Sequence, residues 1–292
     1  MKTAFILDSS AGCRPDLQAR PDVYIIHLTV NFSDGTSLED SSEPQLAAKF
    51  YEELPQLPDI PQTSQPSYGA YLKLVDQIIA DGFEQVIAIH LSGQISGTVQ
   101  TAQMVMKKRS DQIQGYVIDS RGTSYQMEHL MLEGMQMLEA ELPMGDVIEE
   151  LNWLAQESRI YVYIKDLNNL LKGGRITSLS KSLGQLLRIY PIIKFEATGA
   201  LSLYDKIRTF KKVEKTYMSL IASALGQYPS GLTLAFAHGG ATATVEQLSE
   251  RVKELYPELK IRSGYLTPVL GAHGGQGCVG MGLLVKNRLL ND

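Results

Sequence analysis

The sequence predicts an α/β protein of two domains, an N-terminal Rossmann-like domain on a parallel sheet and a smaller C-terminal α/β domain. Three observations lead there. The chain has 292 residues, enough for two α/β domains of ordinary size. Short apolar runs alternate with helically spaced segments through the first half, the pattern of a parallel sheet covered by helices. The alternation then resumes past a further apolar run at Ile160 to Ile164 (IYVYI). The expected domains are 1–160 and 161–292.

Taken in order, Lys2 to Leu7 reads as a buried strand and Val23 to Val30 (VYIIHLTV) as a second, rich in β-branched residues. Asp34-Gly35 reads as a hairpin turn. Glu43 to Leu54 has helical spacing. Pro55 to Pro66 carries four prolines and reads as a loop. Tyr68 to Ala80 is a helix, Val86 to Leu91 a strand of parallel type, Gly97 to Arg109 a helix, Gly115 to Ile118 a strand and Tyr125 to Glu141 a long helix. In the second half, Ile189 to Phe195, Leu201 to Tyr204, Leu232 to Ala237 and Gly280 to Val285 read as strands. Lys211 to Leu225 and Ala243 to Tyr256 read as helices, giving a smaller sheet with helices on one side.

Composition narrows the function. The chain is 44% hydrophobic and 20% charged with a net charge of −5, which argues against a general nucleic-acid binder. The apolar stretch Ala4 to Leu7 is too short for a signal peptide, and no run approaches the roughly 20 apolar residues of a membrane span, so a cytoplasmic protein is expected. The two cysteines, Cys13 and Cys278, form no zinc-type cluster, and no metal or cofactor is expected.

Open α/β sheets bind ligands beyond the carboxyl ends of their strands. Three hydroxyl-rich motifs fall at such ends: Asp8-Ser9-Ser10, Ser92 to Thr98 (SGQISGT) and Asp119-Ser120. A fourth, Thr63 to Ser67 (TSQPS), precedes a helix. Hydroxyls beside free helix-start amides suit a carboxylate or phosphate; they are equally the preferred helix caps. Gly93 to Gly97 (GQISG) departs from the G-x-S-x-G nucleophile elbow, so a hydrolase using Ser96 with His238 or His273 stands as a minor alternative. Lys172-Gly173-Gly174-Arg175 is no Walker loop; it reads either as a glycine-capped helix end or as an anion or partner contact. His273 sits in a glycine-rich turn that gives it a structural or a functional role, and His90 lies near Ser92.

Together these motifs resemble the bacterial DegV family of fatty-acid-binding proteins. The likeness runs over nearly the full chain in the family's order: FILDSS at 5–10, TSQPS at 63–67, SGT at 96–98, IDS at 118–120, LLKGGRI at 170–176, PIIKFEATGALSLYDKIRT at 191–209 and AHGG at 272–275. The resemblance implies two α/β domains with the site for a long-chain fatty acid between and within them, and no catalysis by the chain itself. It implies a carrier that presents the carboxylate to an ATP-binding fatty acid kinase for acyl-phosphate formation; a lipid-sensing module would share the same pocket. By the same resemblance Thr63 and Ser96 hold the carboxylate, and Ser64, Ser92, Gly97 and Thr98 support them. Arg175 and His273 meet the head group or the partner. Two departures stand out. Ser92 is followed by Gly93 where the family often has a second serine, and HGGQG replaces a late threonine and proline.

Overall fold

A computed structural model describes residues 1–176, 190–228 and 231–290. The first domain is built on a four-stranded parallel sheet in the order β2-β1-β6-β7, from β1 (Thr3–Asp8), β2 (Val23–Ile26), β6 (Gln85–His90) and β7 (Gln114–Asp119). Strand β6, in the interior of this sheet, is buried along its whole length, which explains its unbroken apolar run. Helices α3 (Tyr68–Ala80) and α4 (Thr98–Lys108) pack on each other, and α4 lies against β6 and β7.

The apolar run at 23–30 is one strand by composition and two in the structure. His27 and Leu28 leave the parallel ladder: the His27 imidazole bonds the Asp40 carbonyl at 2.8 Å, and the Leu28 amide donates to the Ser9 hydroxyl at 3.1 Å. The chain then enters a separate antiparallel sheet, β4-β3-β5, of β3 (Thr29–Asn31), β4 (Ser37–Glu39) and β5 (Gln62–Ser64). The hairpin expected at Asp34-Gly35 joins β3 to β4. The proline-rich stretch is not all loop, since β5 closes this sheet and carries Thr63 opposite Val30.

The second sheet has six strands in the order β10-β9-β8-β13-β11-β12. They are β8 (Arg159–Tyr163), β9 (Tyr190–Phe195), β10 (Leu201–Ile207), β11 (Leu232–His238), β12 (Lys260–Tyr265) and β13 (Val279–Val285). It is therefore the larger sheet, against expectation. The difference is mainly β12 (KIRSGY), an edge strand only partly buried and too polar to read as a strand. Residue 160, the expected end of the first domain, lies in β8, directly after α6 (Met144–Glu157). The start of the strand read at Ile189 lies outside the described residues.

Helices α5 (Tyr125–Glu139) and α6 touch strands of both sheets, so they form the layer between them. Helix α6 buries Val147, Leu151, Leu154 and Ala155 at spacings of three and four, a pattern overlooked in the sequence. Helices α8 (Phe210–Gln227) and α9 (Thr242–Leu255) pack on the second sheet. Polar bonds lock the two halves. Ser92 donates to the Gly199 carbonyl at 2.8 Å, Arg121 to the Ala197 carbonyl at 3.0 Å, and Arg262 pairs with buried Glu128 while donating to the Gly12 carbonyl at 3.0 Å. Among the described residues no helix is long and apolar enough to cross a membrane, and no cluster of potential metal ligands occurs.

Candidate functional site

A cavity of about 360 Å³ opens between the two sheets, a size ordinary for a small-molecule site. One wall is apolar and comes largely from the second sheet and its connections: Val162, Ile164, Ile193, Phe195 and Leu201, with Leu170. They are one valine, two isoleucines, two leucines and one phenylalanine, all from the second half of the chain.

The polar residues gather through a continuous set of contacts. Thr63 on β5 meets His273, Oγ1 to Nε2 at 2.8 Å. His273 sits on the short helix Pro268–Gly274, which packs on β3 and β5. This segment was expected to be a flexible glycine turn; it is helical because Pro268 opens it and Gly271 lets it press against the buried Tyr51 ring. Arg175 follows the helix Asn168–Lys172. It donates to the Gly173 carbonyl at 2.6 Å and to the Ile95 carbonyl at 3.3 Å, tying that turn to the loop carrying Ser96. Ser96 Oγ lies 2.9 Å from Thr98 Oγ1 and accepts from the Thr98 amide at 3.3 Å.

Two glycines are set by close approach. A Cβ on Gly173 would collide with the His273 imidazole, so the first glycine of KGGR makes room for the histidine as well as ending a helix. A Cβ on Gly97 would strike the carboxamide of Gln65, which crosses to bond Thr101 at 2.8 Å. Gln65 lines the cavity between the two hydroxyl motifs and is the main polar residue missed in the sequence, although it lies within TSQPS itself.

The histidine's charge state follows from its surroundings. Burial, and then the nearby Arg175 guanidinium, push its pKa down to about 4, so it is neutral at pH 7. Its Nδ1 is buried without a hydrogen-bond partner among the described residues. An unpaired N–H facing a guanidinium is less favourable than an unpaired lone pair, so the proton belongs on Nε2. Nε2–H then donates to Thr63 Oγ1, and the threonine O–H is free to donate into the cavity. The same bond occupies the imidazole, and Ser96 is engaged with Thr98.

Of the residues singled out in the sequence, Thr63, Ser64, Ser96, Gly97, Arg175 and His273 line the cavity. Ser92 and Thr98 lie fully buried behind it: Ser92 holds Gly199 and the Gln94 amide, and Thr98 braces Ser96. Gly93 also lies off the cavity, its amide on Asp119 Oδ2 at 3.2 Å, and a side chain there would meet Asp119, Gln100 and Val99. The remaining hydroxyl motifs brace loops. Asp8 accepts from Ser10 and from the Leu91 amide at 3.0 Å, and it bonds His90 at 3.1 Å, which in turn meets Tyr71 at 2.7 Å. Asp119 accepts from the Arg121 amide at 2.8 Å. Both cysteines are free and buried.

The family model described as "Uncharacterised protein, DegV family" matches residues 2–286. The chain belongs to the DegV family. Protein DegV of Bacillus subtilis is 30% identical over 285 residues, covering 96% of this chain and 98% of that one. The crystal structure of DegV from Bacillus subtilis, described as a fatty acid binding protein, superposes with a TM-score of 0.87 at 27% identity, covering 98% of this chain and 100% of that one. A DegV lipid binding protein from Thermotoga maritima gives a TM-score of 0.85 at 27% identity over 99% of this chain and 100% of that one. The two-sheet architecture with its helical layer is thus the DegV fold.

Proposed function

We propose that this DegV family chain binds one long-chain fatty acid as a cytoplasmic carrier, and presents its carboxylate to a fatty acid kinase rather than catalysing a reaction itself. One observation carries the proposal: a single cavity is lined both by an apolar wall and by the hydroxyl residues Thr63 and Ser96. Relatives described as fatty-acid or lipid binders support it. Each buried methylene contributes about 0.8 kcal/mol, so an acyl chain supplies most of the affinity, while a buried carboxylate must be hydrogen-bonded. Hydroxyl donors and a neutral histidine behind them do this without a buried ion pair. The Arg175 guanidinium, on the same rim, is placed to steady the negative charge of a phosphate arriving at the carboxylate.

The test is lipid extraction from the purified protein followed by mass spectrometry. A long-chain fatty acid at close to one per chain is expected; a protein that arrives empty and takes up none on titration refutes the proposal. Supplying a fatty acid kinase and ATP should then yield acyl phosphate. Arg175→Ala should keep fatty-acid affinity within about tenfold, 1.4 kcal/mol, and lower that turnover by more. Turnover unchanged in this variant moves the phosphate-facing role elsewhere.

The neutral imidazole also fixes a pH profile. His273 titrates near 4 and a fatty-acid carboxyl below 5, so neither changes charge between pH 6 and 8. Affinity is expected to stay within about twofold across that range. Were His273 a cation clamping the carboxylate, affinity would instead fall as pH rises through its pKa. Titration of the ligand at pH 6, 7 and 8 separates the two.

A further inference from the structure

Beside the main cavity lies a second, buried chamber of about 40 Å³. The two share Thr123, Val162 and Leu266 as lining, so the chamber adjoins the apolar part of the main cavity. Its floor is the centre of the six-stranded sheet. Strand registers align it in two rows: Val162, Gly280 and Ala237 are neighbours across β8, β13 and β11, and Ile160, Gly282 and Ala235 form the next row. Alternate residues of a strand share a face, so both rows point the same way, and all six line the chamber. Because Val162 also lines the main cavity, the first row is the entrance and the second the deeper one.

At the centre of a sheet, β-branched or large side chains are the norm. Here four of the six positions carry glycine or alanine, and the space they leave is bounded also by Tyr125 and Gln126 at the start of α5. The one amide on the wall is already used, Gln126 donating to the Ser120 carbonyl at 2.7 Å and the Ala155 carbonyl at 3.3 Å. A dry chamber of this kind accepts methylenes and offers nothing to a polar group.

We propose that this chamber takes the methyl end of the ligand, and that Ala237 and Ala235 set the longest acyl chain the protein accepts. The proposal rests on the fatty-acid reading of the main cavity. It assigns the two rows as successive steps of a length gauge, with a side chain added at the first row excluding more of the chain than one added at the second.

The test compares saturated C14, C16 and C18 fatty acids on wild type, Ala237→Val and Ala235→Val. Each methylene kept out of the chamber is worth about fourfold in affinity, the 0.8 kcal/mol of burial. Ala237→Val is expected to lower the C18-to-C14 affinity ratio about 15-fold and Ala235→Val about fourfold, both leaving C14 binding unchanged. Ile160→Ala, which deepens the chamber, should raise the ratio of C20 to C16, and it keeps the question answerable if a valine variant fails to fold. Equal weakening of all lengths, or an unchanged ratio in folded variants that still bind fatty acid, overturns the length gauge and leaves the carrier reading standing. A wild-type protein that binds no length at all overturns the carrier reading, and the gauge with it.

Discussion

Thr63→Val is expected to weaken fatty-acid binding by about 30- to 150-fold, or roughly 2–3 kcal/mol. Valine has the shape of threonine, so the cavity keeps its form and the strand pairing of Thr63 with Val30 is undisturbed. What disappears is one oxygen with two duties. It accepts from His273 Nε2 at 2.8 Å, and its own proton is free to point at the ligand. The variant therefore leaves both a carboxylate and an imidazole N–H without a partner in a buried place, each costing on the order of 1–3 kcal/mol. Calorimetric titration gives the number, and a loss below threefold would show that the carboxylate lies elsewhere. Ser96→Ala should cost less, because Thr98 and the adjoining amide remain beside the vacated position.

Tyr217→Phe is expected to destabilise the protein by about 2–4 kcal/mol. Tyr217 on α8 is fully buried, and its hydroxyl enters the seam between β8 and β13. It accepts from the Tyr163 amide at 2.9 Å and lies 2.9 Å from the Val279 carbonyl and 3.3 Å from the Tyr161 carbonyl. Phenylalanine fills the ring's volume but strands a buried N–H and C=O where no water reaches. Burial also holds the phenol far above its ordinary pKa, so it stays a neutral donor at any working pH. Urea unfolding at matched slope measures the change; a loss under 0.5 kcal/mol, the range of an ordinary surface substitution, would mean that the strands re-pair without it.

The sequence was most legible where one requirement dominated. Strands β1, β6 and β11 had to be apolar throughout, and α3 and α8 had to bury one stripe, so all five stood out within a few residues. It was least legible where two requirements competed. The run at 23–30 satisfies strand propensity over its whole length, yet tertiary bonds to Ser9 and Asp40 divide it. Edge strand β12 bears Lys260 at its exposed start and Arg262 for its pairing with buried Glu128, which erased the signal of alternation. At the site, hydroxyl motifs announced a polar cluster but not its membership. Ser92 and Thr63 are alike in sequence setting, and only the path of the chain turns one toward the cavity and the other onto Gly199. The role of Gly173 was hidden by a different cause: the residue it accommodates, His273, lies 100 positions away.

The place of β13 has a consequence for how the protein is made. This final strand of the fold is inserted between β8 and β11, pairing antiparallel with both. Until it arrives the sheet is two pieces with two open inner edges, and Gly280 and Gly282 are missing from the chamber floor. The ribosome releases residues in order, so every earlier element is synthesised before the two pieces can be joined. A nascent chain that lacks β13 thus has a divided second sheet and an unfinished chamber floor. The exposed edges of β8 and β11 are the surfaces a chaperone would need to shield in the interval.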